Sequence, residues 1–275
     1  MSNSTQERVQ VGIEEHVATV TLVRGAKHNG LDWAMFVAID EALARLRDAD
    51  AVRAVVLCGE GPSFCAGLDF ASFMADGRDL NGELLERNGA AANLAQRMAC
   101  GWRDLDVPVI AALQGVCFGG GCQIALGADV RFAAPDTRMS VMEIKYGLVP
   151  DMGITRTLPS LVRSDHAREL VHTGRVVEAP EALALGLVTR IVDDPRAAAR
   201  ELAGEIAARS PQAIRAGKRM LNEIYAPPGP DTLALETELQ RQLLGTPNQA
   251  EAVQAALGRR PARFEDPQPA STNAG

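Results

Sequence analysis

Apolar and polar positions change their period along the chain, and each change marks an element. Near the start, "VQVGIEE" and "VATVTLVR" alternate residue by residue around a short polar turn, which predicts a β-hairpin. In "DWAMFVAIDEALARLRDAD" the period lengthens: Met35, Ile39, Leu43 and Leu46 fall on one helical face, with Asp32 as N-cap. "RAVVLCG" and "PVIAALQG" are continuous apolar runs, the pattern of buried strands. Between them, "EGPSFCAGLDF" reads as a loop and Gly82 to Trp102 as mostly helical. "VRFAAPDTRMSV" predicts a further strand pair. From about Thr155 the pattern turns helical: "SDHARELVHTG" is capped by Ser164 and ends at Gly174. Three more helices are predicted in "PRAAARELAGEIAARS", "PQAIRAGKRMLNEIY" and "DTLALETELQRQLLG".

Together these describe an α/β core over residues 1–194 and a helical region over 195–265. The tail, 266–275, is rich in Pro, Ser, Ala and Gly and is expected to be disordered. There is no internal repeat, and the opening hairpin argues against a simple doubly wound sheet. The 275 residues are 47 % hydrophobic and 23 % charged, a soluble globular balance. A net charge of −7 gives no basic footprint for nucleic acid or an anionic membrane, so an anionic substrate must be met by local basic groups. The polar N-terminus has no apolar leader, and no apolar run approaches the roughly 18 residues that span a bilayer. Five cysteines without a C-x-x-C pair read as reduced, packed thiols, and the expected location is the cytoplasm. The four histidines are scattered and offer no metal spacing.

Two glycine-rich segments each follow a predicted strand: "FCAGLD" (Phe64 to Asp69) and "GVCFGGGCQ" (Gly115 to Gln123). Glycine there lets backbone approach a ligand and frees N–H groups to face it. Three glycines entering a helix favour an anion or oxyanion. A phosphate-binding loop would need Lys-Ser/Thr after Gly121. A dinucleotide fingerprint would need glycine at the Ile124 position, and a serine-hydrolase elbow would need G-x-S-x-G; none is present. Downstream, "SVMEIKYGLVPDMGITRTL" carries Glu143 and Asp151, eight residues apart in apolar surroundings. Such acids have raised pKa values and suit proton transfer. The alternative is structural: Glu143 paired with Arg138 or Lys145, and Asp151 capping a helix that begins near Gly153.

From Val9 to Phe264 the chain resembles the enoyl-CoA hydratase/isomerase (crotonase) superfamily. The resemblance rests on "RGAKHNGLDWAMF", "FCAGLD", "VIAALQGVCFGGGCQIALGADVRFA", "MEIKYGLVPDMG", "ELVHTGRVVEAPEALALGLVTRIVD" and "GRRPARF". It implies a ββα spiral core whose C-terminal helices build a homotrimer or hexamer. It also implies an acyl-CoA substrate and no cofactor, since CoA is part of the substrate. By the same resemblance the N–H groups of Leu68 and Gly120 form an oxyanion hole for the thioester oxygen. Ala26, His28 and Ala66 line the adenine–pantetheine end, and Asp69, Gly119 and Gln123 complete the substrate-binding set. Lys27 and Arg259 or Arg260 are candidates for the CoA phosphates.

Hydratases of the family carry Glu where this chain has Gln123 and again at the Glu143 position, so the water-holding pair is incomplete here. Dienoyl-CoA isomerases work with acids at the Glu143 and Asp151 positions and a further Asp where Gln123 stands. Simple 3-enoyl-CoA isomerases manage with one Glu at the Glu143 position. The expectation is proton shuttling by Glu143 and Asp151 that favours double-bond isomerisation. The alternatives are 2-enoyl-CoA hydration by Glu143 alone and a catalytically inactive acyl-CoA-binding protein, the reading that Gln123 supports.

Overall fold

The computed structural model describes residues 7–77, 80–225 and 231–264. The expected hairpin is β1 (Val9–Glu14) and β2 (Val17–Leu22), antiparallel, followed by α1 (Trp33–Arg47), whose N-cap Asp32 accepts from Met35 N–H. Next come β3 (Ala54–Gly59), α2 (Phe70–Asp76), α3 (Leu80–Glu83), α4 (Leu94–Arg103), β4 (Val109–Leu113), β5 (Val116–Phe118) and α5 (Gly120–Leu126). Then follow β6 (Val130–Ala133), β7 (Arg138–Ser140), α6 (Ile154–Thr157), α7 (Ser164–Thr173), β8 (Val177–Glu178), α8 (Ala179–Leu185) and β9 (Arg190–Ile191). The chain closes with α9 (Pro195–Ala207), α10 (Pro211–Ile224), α11 (Thr232–Leu243) and α12 (Pro247–Leu257). The tail over 266–275 that is expected to be disordered lies outside the described residues, which end at Phe264.

One six-stranded sheet has the order β1-β2-β3-β4-β6-β9, parallel from β2 onward. The apolar runs of β3 and β4 are continuous because both sheet faces are covered. Val55, Leu57, Val109, Ala111 and Leu113 join the large core with α1 and α4. The alternate residues Ala54, Val56, Cys58, Ile110 and Ala112 pack with Ala199 and Ala203 of α9. Alanine at four-residue spacing lets that helix lie close on the sheet. A second sheet, β5-β7-β8, stands apart and carries the glycine triplet at its edge.

Four local expectations are corrected. "VRFAAPDTRMSV" yields two strands, but they do not pair: Phe132 pairs with Ala112 in the large sheet, whereas Met139 pairs with Cys117 in the small one. The stretch from Gly82 to Trp102 is not continuously helical, because α4 starts afresh at Asn93. That residue forms a reciprocal capping box with Gln96, and Leu84 and Leu85 are buried in the turn before it. Ser164 is the first residue of α7 and not its cap; Arg163 holds that position with no side-chain acceptor. A fourth C-terminal helix, α12, joins the three expected, capped by Thr246 with Pro247 in its first turn.

Candidate active site

The two glycine loops meet through their backbones. Cys65 N–H donates to Val116 O at 3.2 Å and Phe118 N–H to Cys65 O at 3.0 Å. Leu31 N–H donates to Gly67 O at 2.8 Å, and Asp69 N–H to Leu31 O at 3.0 Å. In such a bridge the residue between the two partners turns its own N–H the other way. That residue is Leu68, whose N–H has no backbone partner among the described residues. The second loop repeats the arrangement: Gly119 N–H is taken by Ser140 O at 2.8 Å, and Gly120 N–H, at the start of α5, has no backbone partner among the described residues. Gly119 has φ 52°, a left-handed conformation that favours glycine. A Cβ on Gly121 would strike Cys65 O, so the triplet also permits the close approach of the loops.

Both of these N–H groups belong to residues that line one cavity of about 510 Å³. Ala66, Leu68, Gly119 and Gly120 line it together with Glu143 and Asp151. Phe36, Leu84, Leu85 and Ala95 supply apolar surface, and Gln249, Ala250, Val253 and Gln254 of α12 cover the same cavity. The C-terminal helices of this chain therefore bury part of their own faces on their own site.

Glu143 opens a 3₁₀ turn, Glu143–Tyr146, after β7. Its Oε1 accepts from Gln123 Nε2 at 2.7 Å, while the buried Oε2 has no hydrogen-bond partner among the described residues. A Cβ on Gly119 would lie 3.5 Å from Glu143 Oε1, which puts the carboxyl against the glycine triplet. Burial pushes its pKa up to about 7, although the Gln123 bond acts in the opposite direction. Asp151, 7 % exposed, is pushed up to about 8 by burial, then by the charges of Glu236 and Glu143. Neither structural alternative is formed: Glu143 is bound by Gln123 and not by Arg138 or Lys145, and the N–H groups at the start of α6 are met by Glu236.

The remaining candidates divide. Ala66 and Gly119 line the cavity; Ala26, His28, Asp69 and Gln123 are outside its lining. Ala26, Lys27 and His28 are exposed beside it, and His28 O accepts from Ala66 N–H at 2.9 Å. Asp69 is engaged with Arg24 at 2.8 Å and caps α2 through Ser72. Burial alone would raise its pKa, but the bonds from Ser72 and Arg24 outweigh that and hold it low. Gln123 sits behind Glu143: its Oε1 accepts from Met152 N–H at 2.9 Å, so both ends of the amide are occupied. Arg260 is taken by Glu251 at 2.6 Å, and Arg259 is exposed. Sequence patterning missed Glu236 and Gln240 of α11; Gln240 lines the cavity, and Glu236 binds the backbone just beyond Asp151.

A largely parallel sheet with a small second sheet beside it, and two glycine loops that meet through their backbones, make an α/β fold of the crotonase type. The chain belongs to the enoyl-CoA hydratase/isomerase family, whose sequence profile matches residues 12–268. It is 31 % identical to a short-chain-enoyl-CoA hydratase of Clostridium acetobutylicum, over 90 % of this chain and 93 % of that protein. It is 30 % identical to the mitochondrial Delta(3,5)-Delta(2,4)-dienoyl-CoA isomerase of Mus musculus, over 94 % of this chain and 82 % of the relative. The fold matches the crystal structure of an enoyl-CoA hydratase/isomerase from Mycobacterium paratuberculosis with a TM-score of 0.80 and 26 % identity, covering 91 % of this chain and 99 % of that one. Among the described residues no helix is long and apolar enough to cross a membrane.

Proposed function

We propose that the protein shifts a carbon–carbon double bond in an enoyl-CoA thioester. The thioester oxygen accepts from Leu68 N–H and Gly120 N–H and carries the negative charge of the enolate. Glu143, near half ionised at neutral pH, removes a proton alpha to the thioester. Asp151, still largely protonated, delivers one at the far end of the conjugated enolate. This chemistry calls for no metal or redox cofactor, and the CoA portion runs along Ala26, His28 and Ala66.

The observation that carries this reading is the pair of buried acids lining one cavity, with pKa values raised to about 7 and about 8. Gln123 supports it by what it leaves undone. Fully buried outside the cavity lining, with its amide bonded to Glu143 and to Met152 N–H, it brings no second carboxyl to a water molecule in the cavity. Hydration by Glu143 alone is the second reading, favoured by the unpartnered Glu143 Oε2. The test is a panel of 2-enoyl-, 3-enoyl- and 3,5-dienoyl-CoA. Isomerisation of a 3-enoyl or dienoyl thioester should outrun hydration of the 2-enoyl one, and fast hydration alone would reverse the order of the readings.

A cytoplasmic homotrimer or hexamer is part of the proposal. Met220, Leu221, Ile224 and Tyr225 near the end of α10 are 49–65 % exposed and present apolar surface suited to another subunit.

A further inference from the structure

Glu236 is a buried carboxyl, 3 % exposed, that the proton shuttle does not use. Its hydrogen bonds converge on the segment that carries Asp151. Oε1 accepts from Thr155 N–H at 2.8 Å and from the Thr155 hydroxyl at 2.5 Å. Oε2 accepts from Gly153 N–H at 2.9 Å and from Gln96 Nε2 at 3.4 Å. One turn further along α11, Gln240 Oε1 accepts from Val149 N–H at 3.1 Å. The helix therefore grips the chain on both sides of Asp151. It is anchored from behind in turn: Gln96 Nε2 donates to Leu233 O at 2.7 Å, and Asn93 Nδ2 donates to Thr237 Oγ1 at 3.0 Å.

The N–H groups of Gly153 and Thr155 and the Gln96 amide can only donate to Glu236, and the Thr155 hydroxyl can donate as well, a set that suits an ionised carboxylate. Burial, the largest influence, raises its pKa, and the bonds from Thr155, Gly153 and Gln96 oppose that rise. The groups that bear on Asp151 are Glu236 from α11, Glu143 from the 3₁₀ turn and the Gln240 amide. Arg87 bears on Glu236 from the segment ahead of α4.

We infer that Glu236 is a positioning residue for Asp151: it tethers the loop that carries the acid and sets a standing negative charge beside it. This rests on the proton-shuttle reading for its functional meaning. Burial already favours the protonated form of Asp151, and a negative neighbour adds to it by disfavouring a second negative charge, so Asp151 keeps its proton where an ordinary Asp has lost it. The charge on α11 thereby divides the labour, leaving Asp151 as donor and Glu143 as acceptor.

Three variants separate charge from tether. Glu236→Gln removes the charge at nearly constant size, Glu236→Asp keeps the charge with a shorter reach, and Thr155→Val removes one tether. Two readouts are taken: the Asp151 titration in substrate-free protein carrying ¹³C-labelled aspartate, assigned with Asp151→Asn, and kcat and KM for 3-enoyl-CoA against pH. In Glu236→Gln the Asp151 midpoint should fall by about one pH unit or more, and the alkaline limb of kcat should move the same way. KM should stay within about twofold, since Glu236 is outside the cavity lining. Glu236→Asp should keep the midpoint near its wild-type position and lower kcat roughly 3–30-fold, and Thr155→Val should lower kcat severalfold with the midpoint unmoved. An unmoved midpoint in folded Glu236→Gln overturns the inference. If Glu236→Gln does not fold, full kcat in both Glu236→Asp and Thr155→Val overturns it. The titration needs no substrate, so a wild type inactive on 3-enoyl-CoA would sink the isomerase reading while the midpoint still decides the role of Glu236.

Discussion

Replacing Glu143 by Gln separates a catalytic carboxyl from a structural one, because the two readings predict opposite changes in stability. The side chain offers Oε1 to Gln123 Nε2 and leaves Oε2 buried without a hydrogen-bond partner among the described residues. An amide oxygen can take over the bond to Gln123, so the packing survives. The proton acceptor does not, and turnover should fall roughly 10²–10⁴-fold, or about 3–5 kcal/mol of barrier. Thioester affinity should hardly change, since the proposed thioester contacts are the backbone N–H groups of Leu68 and Gly120. The stability effect follows from the pKa, raised from 4.5 in the unfolded chain to about 7 in the fold. An acid with a raised folded pKa contributes stability that is fully present below its unfolded value and is lost as pH rises through its folded value. The loss for Glu143 corresponds to roughly 3 kcal/mol by pH 9, and the Gln variant escapes it. Urea unfolding at about pH 5 and pH 9 with parallel turnover assays checks both limbs. The expected variant is nearly inactive and more stable than wild type at the higher pH. Near-normal turnover, or a large stability loss at both pH values, would refute the assignment.

Three other outcomes follow from the same geometry. A Cβ on Gly120 would lie 2.7 Å from Met152 Sδ and 2.9 Å from Leu31 Cδ1, both flexible side-chain ends, so Gly120→Ala should fold while displacing Met152. Gly120→Pro also removes the N–H; each variant should lose about 10²–10³-fold or more in kcat, and retained activity in the Pro variant would mean the oxyanion is held elsewhere. Gln123→Glu would set a second carboxyl within 2.7 Å of Glu143, where one of the two stays protonated at higher pH. Hydration of 2-enoyl-CoA should then rise with a new pH dependence, and a wild type that already hydrates fast with no gain in the mutant would contradict the preference for isomerisation. Light scattering at micromolar concentration should show a trimer or hexamer, and Ile224→Glu on the exposed end of α10 should weaken it; a wild-type monomer would contradict the assembly.

The fold was largely legible because period and composition agreed along the chain. The unbroken runs of β3 and β4 reflect a sheet covered on both faces, by the α1–α4 core and by α9. Where local pattern misled, tertiary pairing overrode it: Phe132 and Met139 read as neighbours in one ladder but serve different sheets. The start of α12 carried a usable signal, Thr246 before Pro247, that the count of three helices passed over. Within the site, glycine spacing marked the two loops and the apolar surroundings marked Glu143 and Asp151. Glu236 was not marked, since a glutamate in an amphipathic helix ordinarily faces solvent. The clue was its register: Glu236, Thr237 and Gln240 share the buried stripe with Leu233, and polar groups in such a stripe need buried partners. Nothing local in the sequence says that those partners lie in the Asp151 loop.

The central claim is that two carboxyls share the proton transfer, one removing and one delivering. Turnover of 3-enoyl-CoA in D₂O tests it directly, with the position of deuterium in the product read by NMR. Because the proton on Asp151 exchanges with solvent, the account predicts 2-enoyl-CoA carrying deuterium at the carbon that gains the proton, and loss of this product in both Glu143→Gln and Asp151→Asn. A product that retains the substrate's own hydrogen at that carbon, with Asp151→Asn fully active, would mean that a single base carries the proton across and would contradict the account.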